Sequence, residues 1–90
     1  MMVDLDILIT SRVKRKVVVF FVTYPAIKMH TRGLAKLVKE DPGNIQRELK
    51  RLEKAGFLLS EKQGNTKIYS TNKHFSIFKE LQSIVIKSQQ

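Results

Sequence analysis

The chain contains no cysteine and no tryptophan, only two prolines and four glycines, and its 8 acidic residues face 17 lysines and arginines. Without cysteine there is no disulfide, no zinc knuckle and no thiolate metal sensor. The same absence agrees with a reducing, intracellular setting, so a cytoplasmic location is expected. No apolar run approaches the ~18 residues of a membrane-spanning helix. Met1-Met2-Val3-Asp4 lacks the basic start of a secretory leader, so none is expected. The shortage of acid leaves a formal charge of +9 on 90 residues. That excess points to an anionic partner, nucleic acid ahead of an anionic membrane surface. An apolar content of 42% argues against a disordered basic tail. A single domain of this length buries only a modest core, so dimerisation would add stability.

What is present is most legible between Asp41 and Gly56. Asp41 suits an N-cap, Pro42 the first helical position and Gly56 a left-handed C-terminal cap. Between them Ile45, Leu49 and Leu52 recur at i, i+4, i+7, one narrow apolar stripe. At about 100° per residue, Gly43, Arg47, Lys50 and Lys54 point the opposite way, with Gln46 and Arg51 on the flanks. One face is built for burial, the other for something negative with hydrogen-bonding edges. A helix entering the major groove of DNA needs both. A solvated basic face is the plainer alternative, and the neighbouring segments weigh against it.

Those neighbours read as follows. Val17 to Val22 has high β propensity, but Val13, Val17, Phe20, Phe21 and Tyr24 recur at helical spacing between Ser11, a good N-cap, and Pro25, a stop. A buried helix is expected, with Arg12, Lys14, Arg15 and Lys16 as a mostly solvated first turn. Ala26 to His30 is a connector with room for a very short strand at Lys28-Met29-His30. Thr31 looks like the N-cap of a helix carrying Leu34, Leu37 and Val38, and only Glu40 separates it from the Asp41 cap. Two short helices joined so tightly form a helix-turn-helix. After Gly56 the period switches to two strand-like runs, 57–62 and 66–71, around Gln63-Gly64-Asn65, a hairpin signal. Phe75, Phe78, Leu81, Ile84 and Val85 then follow near helical spacing, with more apolar surface than one core absorbs, which suggests a copy of the same chain as partner. Residues 1–10 fit a short helix or an ordered arm.

The expected architecture is α+β: a mainly helical winged helix-turn-helix in the order helix, helix, helix, hairpin, helix. An arm at 1–10 precedes a DNA-binding core at 11–74 and a dimerisation helix at 75–90. Four stretches carry a resemblance to the small winged helix-turn-helix regulators of the ArsR/MarR type: Ser11-Arg12-Val13-Lys14, Thr31-Arg32-Gly33-Leu34-Ala35-Lys36-Leu37, residues 41–58 from Asp41-Pro42-Gly43-Asn44 through Glu48-Leu49-Lys50-Arg51-Leu52-Glu53-Lys54-Ala55-Gly56 to Phe57-Leu58, which are the most specific, and Gly64-Asn65-Thr66-Lys67-Ile68-Tyr69. The resemblance covers nearly all of 11–87. It implies a homodimer joined through the first and last helices, through Val17, Phe21, Phe78, Leu81 and Val85, on a pseudo-palindromic double-stranded DNA site. It implies a transcriptional regulator, more often a repressor.

Within that frame Asn44, Gln46 and Arg47 are the expected base readers, since Arg bonds guanine and Gln bonds adenine in bidentate fashion. Thr31, Arg32, Lys50, Arg51 and Lys54 are the expected phosphate contacts, and Lys62, Asn65 and Lys67 mark a wing at 60–68 on the backbone or minor groove. No cofactor is expected. Metal-sensing relatives use Cys, or His with carboxylates, whereas His30 and His74 stand apart here. Catalysis is not expected either: there is no Cys nucleophile, no phosphate-cradling glycine motif and no metal cluster, and the carboxylates of Asp4 and Asp6 better suit a solubilised arm. Rival readings are a winged helix that docks an acidic protein and one that coats nucleic acid without sequence preference. RNA binding has few stacking residues to draw on, and a membrane-surface helix would need its charges on one element.

Overall fold

A computed structural model describes residues 11–75 of the chain. Ser11 caps α1 (Arg12–Thr23), its hydroxyl accepting from the Lys14 amide at 3.2 Å. The valine-rich run is helical despite its β propensity, because Val17, Val18, Phe20, Phe21 and Val22 are all buried. A β-branched residue costs a helix roughly 0.5 kcal/mol, whereas burying such a side chain contributes about 1.5–3 kcal/mol. Burial wins. Val17 and Phe21 are each 0% exposed inside the protomer. They were expected at a dimer surface, and the structure corrects that: neither has surface left to offer a second copy. The segments 1–10 and 76–90, with Phe78, Leu81 and Val85, lie outside the described residues.

β1 (Lys28–His30) is the short strand anticipated in the connector, and it leads straight into α2 (Thr31–Val38). The cap of α2 is His30 rather than Thr31. Its Nδ1 accepts from the Gly33 amide at 3.0 Å while its backbone is extended. A side chain at Gly33 would meet the imidazole, with a Cβ only 3.0 Å from Cε1, so the glycine makes room for this cap.

The turn to the next helix runs through Lys39, left-handed at φ 59, and the Glu40 amide reaches back to the Ala35 carbonyl at 3.0 Å. Asp41 then caps α3 (Pro42–Lys54) through the Asn44 amide at 3.1 Å, as its sequence position indicated. At the far end Gly56 has φ +91, its amide bonds Glu53 and the Phe57 amide bonds Leu52. This paired closure satisfies two orphan carbonyls and turns the chain into the sheet.

β2 (Leu58–Gln63) and β3 (Thr66–Thr71) form the hairpin, paired from Leu58↔Thr71 to Gln63↔Thr66. Gly64 takes φ +62 at the first position of the two-residue loop, a conformation that closes a hairpin tightly. β3 is the central strand, with β1 antiparallel on its other side through Met29↔Tyr69. Leu58, Tyr69 and Thr71 face the helices and are buried, and the Thr71 hydroxyl donates to the Phe21 carbonyl at 3.1 Å. Beyond the strand, the Asn72 side chain donates to the Gly56 carbonyl at 2.8 Å and Phe75 packs edge-on against Phe57.

Lys39 is the single non-glycine residue with positive φ among the described residues. A left-handed L-residue costs about 1–2 kcal/mol, part of which glycine returns as unfolded-chain entropy. Lys39→Gly is therefore expected to stabilise by up to ~1 kcal/mol, read as a rise in Tm of a few degrees in thermal denaturation.

Candidate nucleic-acid interface

The orientation of α3 follows from its buried stripe. Ile45 and Leu49 are 0% exposed and Leu52 is 8% exposed, so the helix can sit in only one rotation. Its opposite side, Gly43, Arg47, Lys50 and Lys54, is exposed along its length. Gly43 matters for the cap, because a Cβ there would lie 2.9 Å from the Asp41 carboxylate. The three expected base readers do not form one edge. Arg47 stands on the exposed ridge and donates to the Asn44 side-chain Oδ1 at a long 3.4 Å. Asn44 and Gln46 are half-buried on opposite flanks.

Gln46 lies on the flank nearest the hairpin, where its Oε1 accepts from the Thr31 hydroxyl at 2.5 Å. A threonine hydroxyl has one proton to give. Thr31, expected on a phosphate, has already spent that donor on Gln46, and its hydroxyl does not serve as a phosphate donor in this arrangement. Of the other expected phosphate contacts, Arg32, Lys50 and Lys54 are exposed with no acidic partner among the described residues. Arg51 leans 3.4 Å from Glu48, a buried acid beside the apolar stripe, yet keeps 63% of its side chain exposed.

Elsewhere the acids pull cations inward. Glu40, in the turn of the helix-turn-helix, holds Lys16 at 2.7 Å and Arg12 at 3.1 Å. Lys16 also donates to the Val38 carbonyl at 3.0 Å. The first turn of α1 is thus not merely solvated: two of its cations clamp the turn before α3. Glu53, near the end of α3, accepts from the Ser60 hydroxyl and from Lys67 Nζ at 2.9 Å. Lys67, expected to face outward from the wing, is drawn onto α3 and lies 5.3 Å from the centre of the Tyr69 ring. Lys62 and Asn65 are exposed near the tip.

Between the start of α2, α3 and the wing lies a cleft of about 520 Å³ lined by His30, Thr31, Arg32, Gln46, Asn65, Thr66 and Lys67. Sequence reasoning missed His30 and Thr66 here. The signal for His30 was its place immediately before a helix start. Because its Nδ1 accepts the Gly33 amide, the neutral ring carries its proton on Nε2. Among the described residues no group of His, Asp and Glu could hold a metal ion, and no helix is long and apolar enough to cross a membrane.

No family model and no curated protein matches the sequence. Solved structures do match the fold. A "possible transcriptional regulator" from Methanosarcina mazei Go1 superposes with a TM-score of 0.70 at 20% identity, over 88% of this chain and 69% of that one. A MarR-family transcriptional regulator from Rhodococcus sp. RHA1 gives 0.69 at 17% identity, over 93% and 61%. The heme sensor protein PefR from Streptococcus agalactiae, solved in complex with heme, gives 0.65 at 13%, over 88% and 56%. This chain therefore spans between 56% and 69% of the length of those chains. The architecture is an α+β winged helix-turn-helix of the kind found in MarR-type regulators.

The two acid clamps make a pH prediction. Hydrogen bonds from Lys16, then Arg12, hold the Glu40 carboxyl below the ordinary 4.5, and those from Ser60, then Lys67, do the same for Glu53. A depressed carboxyl pKa gives stability that is complete above the ordinary value and is lost as pH falls through the folded one. Lys67 is raised above 10.5, chiefly by Glu53, so its share is complete below that value and is lost as pH rises through the folded one. Tm should therefore fall as pH drops below about 4.5, and Glu40→Gln should flatten that acid limb in melts across about pH 3 to about pH 7.

Proposed function

We propose that the protein is a sequence-specific double-stranded DNA-binding transcriptional regulator, acting as a homodimer and repressing by occupancy. One observation carries the reading. The acids Glu40 and Glu53 neutralise cations that join elements, while Arg47, Lys50 and Lys54 on the outward ridge of α3 have no acidic partner among the described residues. A ridge left charged beside a basic-tipped hairpin suits a polyanion with readable edges better than it suits plain solvent. The fold shared with two proteins described as a possible and a MarR-family transcriptional regulator supports the same reading.

In this proposal α3 enters the major groove and the wing tip lies on the backbone or in the minor groove. Two copies of α3 occupy half-sites about 34 Å apart, one helical turn of DNA. Arg47 reads a base, oriented by Asn44, while Arg32, Lys50, Lys54 and Lys62 neutralise phosphates and set affinity. Phe78, Leu81 and Val85 remain the proposed dimer contacts, and Val17 and Phe21 do not take part.

Selection of duplexes from a random pool at ~150 mM salt is expected to enrich an inverted repeat, bound at least ~10³-fold tighter than scrambled DNA. Flat selection with purely salt-sensitive binding would point instead to a non-specific coater or a protein-docking module. With roughly four phosphates neutralised per protomer, log K against log salt should slope at about −7 for the dimer. Arg47→Ala should cost ~1–3 kcal/mol on the selected site and little on scrambled DNA, whereas Lys62→Ala should weaken both alike. Equal losses for Arg47→Ala on the two DNAs would remove its base-reading role.

A further inference from the structure

Gln46 and Thr31 belong to different helices, and neither position suggested the other. Thr31 opens α2 at a rigid point: the preceding His30 is paired to Ile68 in the sheet and its ring caps the Gly33 amide. The Thr31 hydroxyl is thereby set against Gln46 Oε1, at 2.5 Å in a half-buried position. A hydroxyl proton given to that oxygen fixes the orientation of the amide, with Oε1 held toward Thr31. The amide NH₂ is left as the end available to a ligand at the cleft that Gln46 lines between α3 and the wing.

That asymmetry changes what the side chain can read. A free glutamine uses its donor and acceptor together on adenine, which offers N7 as acceptor and the N6 amine as donor. The carbonyl oxygen keeps a second lone pair, but the bond to Thr31 holds Oε1 toward α2, so oxygen and NH₂ are not offered side by side to one base and the NH₂ is the end left to read it. Guanine answers with two acceptors, O6 and N7, and thymine with O4. Adenine keeps only N7, and cytosine offers only a donor.

We infer that Thr31 is a specificity-determining residue, which turns Gln46 into a donor-only reader that selects guanine or thymine over adenine and cytosine. The inference rests on the DNA-reading function proposed above and names the specificity of that same site. Thr31 acts here as a positioning residue, through Gln46, and needs no contact with DNA of its own.

The test is duplex selection with the full chain and four forms: unsubstituted, Gln46→Ala, Thr31→Val and Thr31→Ser. Gln46→Ala identifies the base position that depends on Gln46, by flattening its preference. At that position the unsubstituted protein should favour guanine or thymine by about 5-fold or more over adenine. Thr31→Val keeps the side-chain shape but frees the carbonyl, and should move the preference to adenine. Thr31→Ser keeps the hydroxyl and should retain the original base. A preference for adenine in the unsubstituted protein overturns the inference, as does a base choice that Thr31→Val leaves unchanged, or a Gln46→Ala profile identical to the parent at every position. In each of those results a selected motif still stands, so the regulator reading survives. Flat selection by the unsubstituted chain overturns both together.

Discussion

The burial of Ile45, Leu49 and Leu52 is the constraint from which the rest follows. Three aliphatic side chains at 0–8% exposure are worth about 1.5–3 kcal/mol each, together comparable with the net stability of a small domain. Rotating the helix by one residue, about 100°, would expose that stripe and unfold the protein before it gained any new contact. The basic ridge of Gly43, Arg47, Lys50 and Lys54 therefore faces outward as a consequence of the core. The function proposed for the molecule is built on the side of the helix that the core cannot use.

Around that helix the few acids sort the many cations. Glu40 gathers Arg12 and Lys16 at the turn before α3, and Glu53 gathers Ser60 and Lys67 near its end, so both ends of α3 are tied to their neighbours. Each pair has at least one partner still open to water, which screens its attraction. Their larger effect is geometric, since they hold the helix-turn-helix and the wing in one relation and remove charge from the elements' joints. What stays positive is the surface turned away from the core.

Much of this was legible beforehand, and the reason differs by residue. Asp41, Pro42 and Gly56 act on backbone groups within one turn, so their roles at the ends of α3 could be read directly, and the Gly64-Asn65 turn likewise placed the hairpin. The short strand at Lys28–His30 was readable as a pattern, though its partner β3 was not. The valine run was ambiguous because propensity and periodicity disagreed, and burial on nearly all sides decided for the helix. The cap at His30 escaped notice because histidine is an uncommon cap, and the adjacent Thr31 is a common one. Val17 and Phe21 were misplaced because periodicity marks a face as apolar without saying whether its own chain or a second copy covers it.

The amino-acid sequence by itself determined the order of the described elements, the caps of α1 and α3 and the two-faced character of α3, because those depend on interactions between residues a few positions apart. Only the tertiary structure decided which charges and amides are free to meet a partner. Arg12 finds Glu40 across 28 positions, Thr31 finds Gln46 across 15, and Lys67 finds Glu53 across 14. A lysine on a wing and a threonine before a helix look available in the sequence. Folding brings an acceptor within about 3 Å of each: the threonine spends its one hydroxyl proton there, and the lysine, with two N–H left, has its charge paired with Glu53.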